Sequence, residues 1–308
     1  TRSEEPLDDP RREKIALFCN VDEDDVISDS NIDNVYAVPL MFEEQQLCKK
    51  ILKKLHLRKD HNNLEIWKTY IENIRSFENK LTIGIVGKYF DIGSCKLSDS
   101  YISVIEAVKH AAWDNGYRAY IEWIDSKLYE RNPEAIKNLD LLDGIIVPGG
   151  FGLSGIEGKI STINYVRENH IPYLGLCLGM QLAVVEYARN ICGLTDANSK
   201  EVNKNTHHNV IDVIPEQATI LRESRYGATM RLGSYPALLK QETKVHQLYQ
   251  KNKVYERHRH RYEVNPDYVA PLEDQGIIFS GKSPDGVLME FMELPNHPFF
   301  IATQAHPE

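Results

Sequence analysis

The sequence predicts an α/β fold in which helices flank a mostly parallel central sheet. Beyond about residue 80, short β-branched runs alternate with helical segments. Such a strand, helix, strand repeat implies a parallel sheet covered by right-handed crossovers. The chain has 308 residues, 42% of them hydrophobic and 26% charged, so it is long enough for two units with cores of their own.

The pattern predicts the elements of the larger unit in order. Strands are expected over residues 81–86, 119–124, 144–147 and 173–176, with helices over 98–115, 158–168 and 180–191. Later segments change to strand patterns, over residues 210–214, 254–264, 276–280, 287–294 and 299–304. These later strands are expected to extend the sheet or to pack beside it.

The first 79 residues are too short and too mixed to predict a domain of their own. Residues 14–20 predict a short strand, residues 22–25 an acidic turn, and segments near 43–55 and 64–74 predict helices. We therefore predict a boundary at residues 79 and 80, with a linker before it. The missing initiator Met and the end at Glu308 indicate part of a longer chain.

Composition excludes several classes of function. The formal net charge of −9 repels phosphate backbones, so nucleic acid is not an expected partner. No apolar run reaches 18 residues, and no apolar stretch follows a basic start, so neither a membrane span nor a secretion signal is predicted. Five scattered cysteines without metal-ligand spacing indicate reduced thiols in the cytoplasm and no metal site.

The strongest local pattern is Gly-Leu-Cys-Leu-Gly at residues 175–179, between an apolar strand and a helix. This arrangement is typical of a nucleophile elbow, in which glycines two positions from the central residue avoid steric collision. Cys177 would then lie exposed at a helix N-terminus. The helix dipole favours a thiolate there, relative to an ordinary thiol pKa of about 8.5.

The sequence ends in a pattern that could complete this nucleophile. His306-Pro307-Glu308 follows an apolar strand and places an imidazole and a carboxylate in one turn. In a Cys/His/acid system the imidazole moves the proton and the acid orients the ring. A second His-Pro pair, at His297, is interpreted as a surface turn.

Three motifs together resemble the triad (class I) glutamine amidotransferases, which have a flavodoxin-like architecture. They are Pro-Gly-Gly-Phe-Gly at 148–152, Gly-Leu-Cys-Leu-Gly-Met-Gln at 175–181, and His-Pro-Glu at 306–308. Segments 14–21, 227–233 and 256–266 resemble the CTP synthase branch of that family in particular. The resemblance covers nearly the whole chain.

The resemblance implies a role for each matching residue. Cys177 would form a glutamyl thioester, His306 would act as general base and acid, and Glu308 would orient the imidazole. The oxyanion donors would be the backbone N–H groups of Gly150 and Leu178.

Glutamine itself would be held by Gln181, Glu201 and Arg261. A guanidinium suits the substrate α-carboxylate because it can donate two parallel hydrogen bonds, and a carboxylate suits the α-ammonium. The spacing of Arg257, Arg259 and Arg261 predicts one face of a strand, with two histidines on the other.

The resemblance also implies ligands outside the glutaminase site. Residues 1–79 would be the tail of a synthetase domain plus a linker, and residues 80–308 an amidotransferase domain truncated just after Glu308. Lys14 would contact UTP or CTP, and Ser30, Asn31 and Ile32 would border the adenine of ATP.

The glutaminase domain would need no cofactor, whereas the full-length enzyme would use ATP and Mg²⁺ to aminate UTP. GTP would activate it, although Ser154 occupies the position of an arginine usual in the loop implicated in that response. Homotetramers and filaments are implied for the full-length protein. Two alternatives remain open: an independent γ-glutamyl or thiol hydrolase on the same fold, and a non-catalytic assembly domain.

Overall fold

The computed structural model describes residues 1–58, 64–87, 101–150, 153–213 and 230–307. The chain divides into two compact units, Thr1–Glu78 and Asn79–Glu308. Within the described ranges, no helix combines the length and the apolar character needed to cross a bilayer.

The first unit is mainly helical. Its helices are α1 (Asp9–Cys19), α2 (Val38–Glu44), α3 (Leu47–Lys54) and α4 (Glu65–Ser76), and its strands are β1 (Arg2–Ser3) and β2 (Asp29–Ser30), which pair in parallel.

The strand expected over 14–20 is wrong, because this segment belongs to α1. Asp8 caps that helix by accepting from the N–H of Arg11, and Pro10 lies in its first turn. The helix predicted near 43–55 is interrupted where Gln46 adopts a φ of 56°.

A nine-stranded mixed sheet forms the centre of the second unit. Its strand order is β10-β9-β12-β13-β14-β6-β5-β3-β4. We call β14, β6, β5, β3 and β4 the parallel half, and β10, β9, β12 and β13 the antiparallel half. The bounds are β3 (Lys80–Gly87), β4 (Arg118–Asp125), β5 (Gly144–Val147), β6 (Tyr173–Leu176), β9 (Arg231–Leu239), β10 (Lys253–His260), β12 (Ile278–Lys282), β13 (Met289–Glu293) and β14 (Phe300–Thr303).

A smaller sheet of order β11-β8-β7 lies in the same unit. Its strands are β7 (Asn198–Ser199), β8 (Asn209–Val213) and β11 (Tyr262–Val264). The segment predicted over 210–214 therefore belongs to this smaller sheet rather than to the central one.

Helices of the second unit cover the central sheet and contribute to one large core. Val147, Ile163, Tyr173, Met180 and Leu182 are fully buried in it. The helices are α5 (Ile102–Asp114), α6 (Lys127–Arg131), α7 (Ile156–Glu168), α8 (Leu178–Asn190), α9 (Lys244–Tyr249) and α10 (Val269–Asp274).

The structure confirms the α/β class and the strands of the parallel half, and it corrects the antiparallel half in two places. The strand predicted over 254–264 is two strands, because the chain bends at Arg261 between β10 and β11. Strand β9 was not predicted: it contains Gly233 and Pro236, which weaken a strand pattern read from sequence alone.

Candidate active site

Cys177 occupies the turn between β6 and α8. Its backbone has φ 51° and ψ −101°, a strained conformation for a residue with a side chain. Two hydrogen bonds hold it: its N–H donates to the carbonyl of Thr303 at 2.7 Å, and its carbonyl accepts from the N–H of Gln181 at 3.2 Å. This is the geometry expected of a nucleophile elbow.

The two elbow glycines are required by close approach. A Cβ on Gly179 would lie 2.1 Å from the carbonyl oxygen of Val147, and one on Gly175 would lie 2.9 Å from the Cβ of Ala302. The hydroxyl of Tyr173 also donates to the carbonyl of Gly179 at 2.9 Å. Any larger residue at either position would push α8 away from the sheet.

His306 lies close to this cysteine. A Cβ on Gly149 would be 2.5 Å from Cε1 of His306 and 3.4 Å from Cβ of Cys177, so the two side chains border the same small volume. The N–H of His306 donates to the carbonyl of Arg257 at 2.8 Å. Its Nε2 is buried and has no hydrogen-bond partner among the described residues, which leaves this nitrogen available to a reacting group.

Burial dominates the electrostatics of the thiol. It raises the pKa of Cys177 to about 12, and the nearby charges of Glu263 and Glu201 act in the same direction. Hydrogen bonds from the N–H of Leu178 and from the amide of Gln304 oppose this rise without reversing it. The expectation that Cys177 is exposed, with a thiolate favoured by the helix dipole, is therefore wrong for this structure: the side chain is buried and its thiol is protonated at neutral pH.

The pKa of the His306 imidazole is shifted in the opposite direction, downward. Burial lowers the pKa of His306, and the charges of Arg259 and Arg257 lower it further, while a hydrogen bond with the Arg259 backbone acts the other way. The pair is thus a neutral thiol and a neutral imidazole at neutral pH. Such a pair needs the imidazole to accept the proton when the sulfur attacks.

The two residues expected to supply the oxyanion donors, Gly150 and Leu178, are neighbours in the structure. A Cβ on Gly150 would be 3.8 Å from Cδ2 of Leu178, and the N–H of Leu178 bonds the thiol sulfur in this structure. Glu308, the expected third member of the triad, lies outside the described residues.

The three residues expected to hold glutamine each act on Tyr262, one by a hydrogen bond and two by their charge. The side chain of Gln181 donates to the Tyr262 carbonyl at 2.9 Å, and the charges of Glu201 and Arg261 act on the Tyr262 phenol in opposite directions. Glu201 also acts on Cys177.

Arg261 is not on a strand face with Arg257 and Arg259 as expected, because β10 ends at His260 and Arg261 occupies the bend. The guanidinium of Arg261 has a buried Nε without a hydrogen-bond partner in the described part of the chain. Because Arg261 lies at the bend, its side chain does not follow the alternation of side-chain directions along β10.

The residues expected to contact nucleotides lie in the first unit. Lys14 is exposed on α1. Ser30 and Ile32 line a cavity of about 610 Å³, and Asn31 accepts a hydrogen bond from Arg2. In the second unit, Ser154 is exposed in the turn before α7.

Sequence reasoning missed several contributors to the site. The amide of Gln304 donates to Sγ of Cys177 at 3.7 Å, and the carbonyl of Arg259 lies 3.9 Å from the same sulfur. Gln304 adjoins the His-Pro-Glu motif, which was the available signal. The contact of the Arg259 carbonyl could not be predicted, because every residue has a backbone carbonyl.

His297, interpreted from the sequence as part of a surface turn, is 4% exposed. Its Nε2 bonds the carbonyl of Val166 and its Nδ1 accepts from the N–H of Phe299. It ties the turn before β14 to α7, so its role is structural. Among the described residues, no group of three or more His, Cys, Asp or Glu side chains is arranged to hold a metal ion.

Comparison with known proteins defines the class. The sequence profile described as glutamine amidotransferase class-I matches residues 96–308, and the chain belongs to this family. A second profile, CTP synthase N-terminus, matches residues 1–57.

Within the family, the chain is similar to CTP synthases over all of its length. It is 48% identical to the CTP synthase of Methanocaldococcus jannaschii and 49% identical to that of Carboxydothermus hydrogenoformans, each comparison covering 100% of this chain and 56% of the relative. The chain thus spans little more than half the length of these relatives.

A solved structure shows the same fold. The glutaminase domain of Trypanosoma brucei CTPS, with bound acivicin, superposes with a TM-score of 0.68 at 37% sequence identity. The superposition covers 74% of this chain and 86% of that one.

Proposed function

We propose that this chain hydrolyses glutamine to glutamate and ammonia, and that the ammonia serves the ATP-dependent amination of UTP to CTP. The observation that carries the proposal is the strained Cys177 at the start of α8, beside His306, whose Nε2 has no hydrogen-bond partner among the residues that the structure describes. Similarity to CTP synthases over the full chain supports the second half of the proposal.

The chemistry begins with proton transfer. His306 accepts the thiol proton of Cys177 as the sulfur attacks the side-chain amide carbon of glutamine. The negative oxygen of the tetrahedral intermediate is met by the N–H groups of Gly150 and Leu178. His306 then donates its proton to the leaving nitrogen, so that ammonia departs and a thioester remains.

Water completes the cycle. His306 takes a proton from the attacking water, the C–S bond breaks, and the thiol is restored as glutamate leaves. By similarity to the family, Glu308 would orient the imidazole throughout. The net reaction consumes one glutamine and one water and releases one glutamate and one ammonia.

Substrate recognition follows the charges of glutamine. The guanidinium of Arg261 would bind the α-carboxylate, Glu201 would bind the α-ammonium, and Gln181 would contribute hydrogen bonds. This assignment fits the buried Nε of Arg261, which has no hydrogen-bond partner in the described ranges.

The remaining ligands belong to the first unit and to the full-length enzyme. We assign residues 1–79 to the end of a synthetase domain, with Lys14 at the pyrimidine nucleotide and Ser30, Asn31 and Ile32 beside ATP. Mg²⁺ would accompany ATP, GTP would act as activator, and a cytoplasmic homotetramer able to form filaments would be the working form.

Replacing the nucleophile tests the proposal. In the intact protein, Cys177→Ala should abolish glutamine-dependent CTP formation and leave ammonia-dependent CTP formation near normal, because the thiol serves only the glutaminase reaction. Equal loss of both activities would contradict this division of labour. If the intact protein hydrolyses glutamine but forms no CTP from glutamine or from ammonia, an independent hydrolase is favoured. If it is folded but shows neither activity, an assembly domain is favoured.

A chemical probe tests the same residue independently. The electrophilic glutamine analogue 6-diazo-5-oxonorleucine should alkylate Cys177 first among the five cysteines, because this thiol lies beside groups proposed to bind glutamine. Mass spectrometry that found Cys19 or Cys192 labelled first would reject the assignment.

A further inference from the structure

Five charged or polar side chains form a buried ion cluster in the antiparallel half of the sheet and in β11. Each is less than 10% exposed. They join four strands, and none belongs to the residues proposed above to react or to bind glutamine. The members are Arg231 on β9, His258 and His260 on β10, Glu263 on β11 and Glu290 on β13.

Arg231 holds the two carboxylates of the cluster. Its Nη2 lies 2.6 Å from Glu290 and its Nη1 lies 3.5 Å from Glu263. The ring of Tyr235 packs against both the guanidinium and a histidine: its centroid lies 4.4 Å from Cζ of Arg231 and 5.8 Å from the ring centroid of His258. The cluster is therefore packed as well as hydrogen-bonded.

The contacts of the two histidines fix the direction of their hydrogen bonds. Nδ1 of His260 lies 3.2 Å from the Tyr262 carbonyl and 3.3 Å from a Glu263 oxygen. Because a backbone carbonyl can only accept, the contact with Tyr262 places the hydrogen on this nitrogen. Burial lowers the pKa of both imidazoles, so both are neutral. Nε2 of His260 then accepts, and Nδ1 of His258, 3.0 Å away, donates.

The cluster meets the proposed catalytic pair through the main chain of β10. This strand is at the edge of the central sheet, and an isolated antiparallel bridge joins Arg257 to His306 there. The Arg257 carbonyl accepts from the N–H of His306. The Arg259 carbonyl bonds the His306 imidazole and lies 3.9 Å from Sγ of Cys177.

The two carbonyls belong to residues that alternate with the buried histidines. Successive side chains of a strand point to opposite faces, so His258 and His260 point into the cluster while Arg257 and Arg259 are exposed. An edge strand has a neighbouring strand on one side only, so the inward side chains of β10, His258 and His260, provide contacts that a second strand would otherwise make. A shift of these side chains would move both carbonyls.

We propose that His258 is a positioning residue for the glutaminase reaction. By donating from Nδ1 to His260, it holds β10 in the place where the carbonyls of Arg257 and Arg259 orient His306 and Cys177. This role rests on the proposed function, because it presupposes that Cys177 and His306 are the reacting pair.

Three substitutions separate hydrogen bonding from packing. Asparagine places an amide N–H close to the position of Nδ1, glutamine places its amide near Nε2 instead, and leucine has no donor. His258→Asn should keep kcat for glutamine within about threefold of the original. His258→Gln and His258→Leu should lower kcat by about 10- to 100-fold, the range that a misplacement of about 1 Å produces. The KM for glutamine should stay within about threefold, since binding residues are untouched.

A control comes from His297, another buried histidine whose ring nitrogens are hydrogen-bonded. His297→Gln should cost stability without lowering kcat, because its partners lie at α7 and before β14. Rates are expressed per site titrated by 6-diazo-5-oxonorleucine, so that unfolded protein is not counted. A purely structural role for His258 predicts unchanged kcat per titrated site in all three variants, and that result would overturn the proposal.

Glu290 provides a second route if the His258 variants do not fold. Glutamine at this position can still accept from Arg231 and can donate to Nε2 of His258, which lies 3.6 Å from the present carboxylate. Glu290→Gln should keep kcat within about threefold, and Glu290→Leu should lower it by about tenfold or more. Unchanged kcat in a folded Glu290→Leu variant would refute a positioning role for the cluster.

Failure of the two proposals can be told apart. If the unsubstituted protein releases no ammonia from glutamine, or Cys177→Ala releases it normally, the proposed function fails and the positioning role with it. If the unsubstituted protein is active and His258→Gln is equally active, only the positioning role fails.

Discussion

The two halves of the central sheet contribute to the candidate site by different physical means. The parallel half ends in a turn that fixes Cys177 by local geometry: β6, two glycines and the start of α8. The antiparallel half contributes residues that are far from Cys177 in sequence, because β10 brings backbone carbonyls to His306 and Cys177. A nucleophile elbow can be predicted from sequence because its turn is short, whereas the groups that contact Cys177 from other strands are dispersed along the chain.

This difference explains which supports were missed. The carbonyls of Arg257 and Arg259 contact the pair although their side chains face solvent, so no property of an arginine predicts the contact. Gln304 acts through an amide whose position depends on β14 lying beside β6.

The largest effect is expected for the locally determined half. Gly179→Ala would place a methyl 2.1 Å from the backbone oxygen of Val147, which cannot move without β5. We expect a loss of about 3 kcal/mol in the free energy of unfolding and a drop in kcat on the order of 100-fold, as α8 carries Cys177 away. Thermal unfolding and glutamine kinetics measure both.

The control for that substitution is Gly193→Ala. Gly193 has a φ of 70°, but a Cβ there would meet nothing within 4 Å. It should cost about 1 kcal/mol through backbone strain and leave kcat unchanged. Equal losses of kcat in both variants would contradict a steric origin.

An intermediate effect is expected where the antiparallel half meets the smaller sheet. Arg261→Ala should raise the KM for glutamine and lower kcat/KM by about 10- to 100-fold, because a charged hydrogen bond contributes about 1.5 to 3 kcal/mol. Arg261→Lys should recover only part, since an ammonium cannot make the paired contact. Steady-state kinetics distinguish the variants, with ammonia-dependent activity as the internal reference.

Lys253→Ala is the matched control for Arg261, because Lys253 is an exposed cation on β10. Its removal should change glutamine use by less than about 0.5 kcal/mol. A glutamine KM that stayed normal in Arg261→Ala would remove this residue from the site.

The smallest effect concerns pH. His306 must be neutral to accept the thiol proton, and burial with Arg259 and Arg257 lowers its pKa below the ordinary value of 6.5. The acid limb of the pH profile of kcat/KM for glutamine should therefore lie below pH 6.5. Removing a positive charge in Arg259→Ala should move that limb upward. A limb at or above pH 6.5 in the original protein, or a downward shift in the variant, would contradict this account.

The sequence by itself determined the class of fold, the positions of the parallel strands along the chain and the tight turn that carries Cys177. These features depend on hydrophobic periodicity and on glycine spacing within about ten residues, where chain geometry leaves few alternatives. Residues 173–176 and 144–147 were predicted with the bounds that the structure has. The three motifs also placed His306 correctly near Cys177.

Only the tertiary structure decided the protonation of the pair, the bend at Arg261 and the cluster behind β10. A pKa depends on burial and on charges brought together from distant segments, so the same thiol that a helix terminus would ionise is kept neutral by its surroundings. Arg231, Glu263 and Glu290 lie on three different strands and carry no common motif. Their meeting requires the sheet to form first, because pairing between distant strands, and not local sequence, sets which side chains face one another.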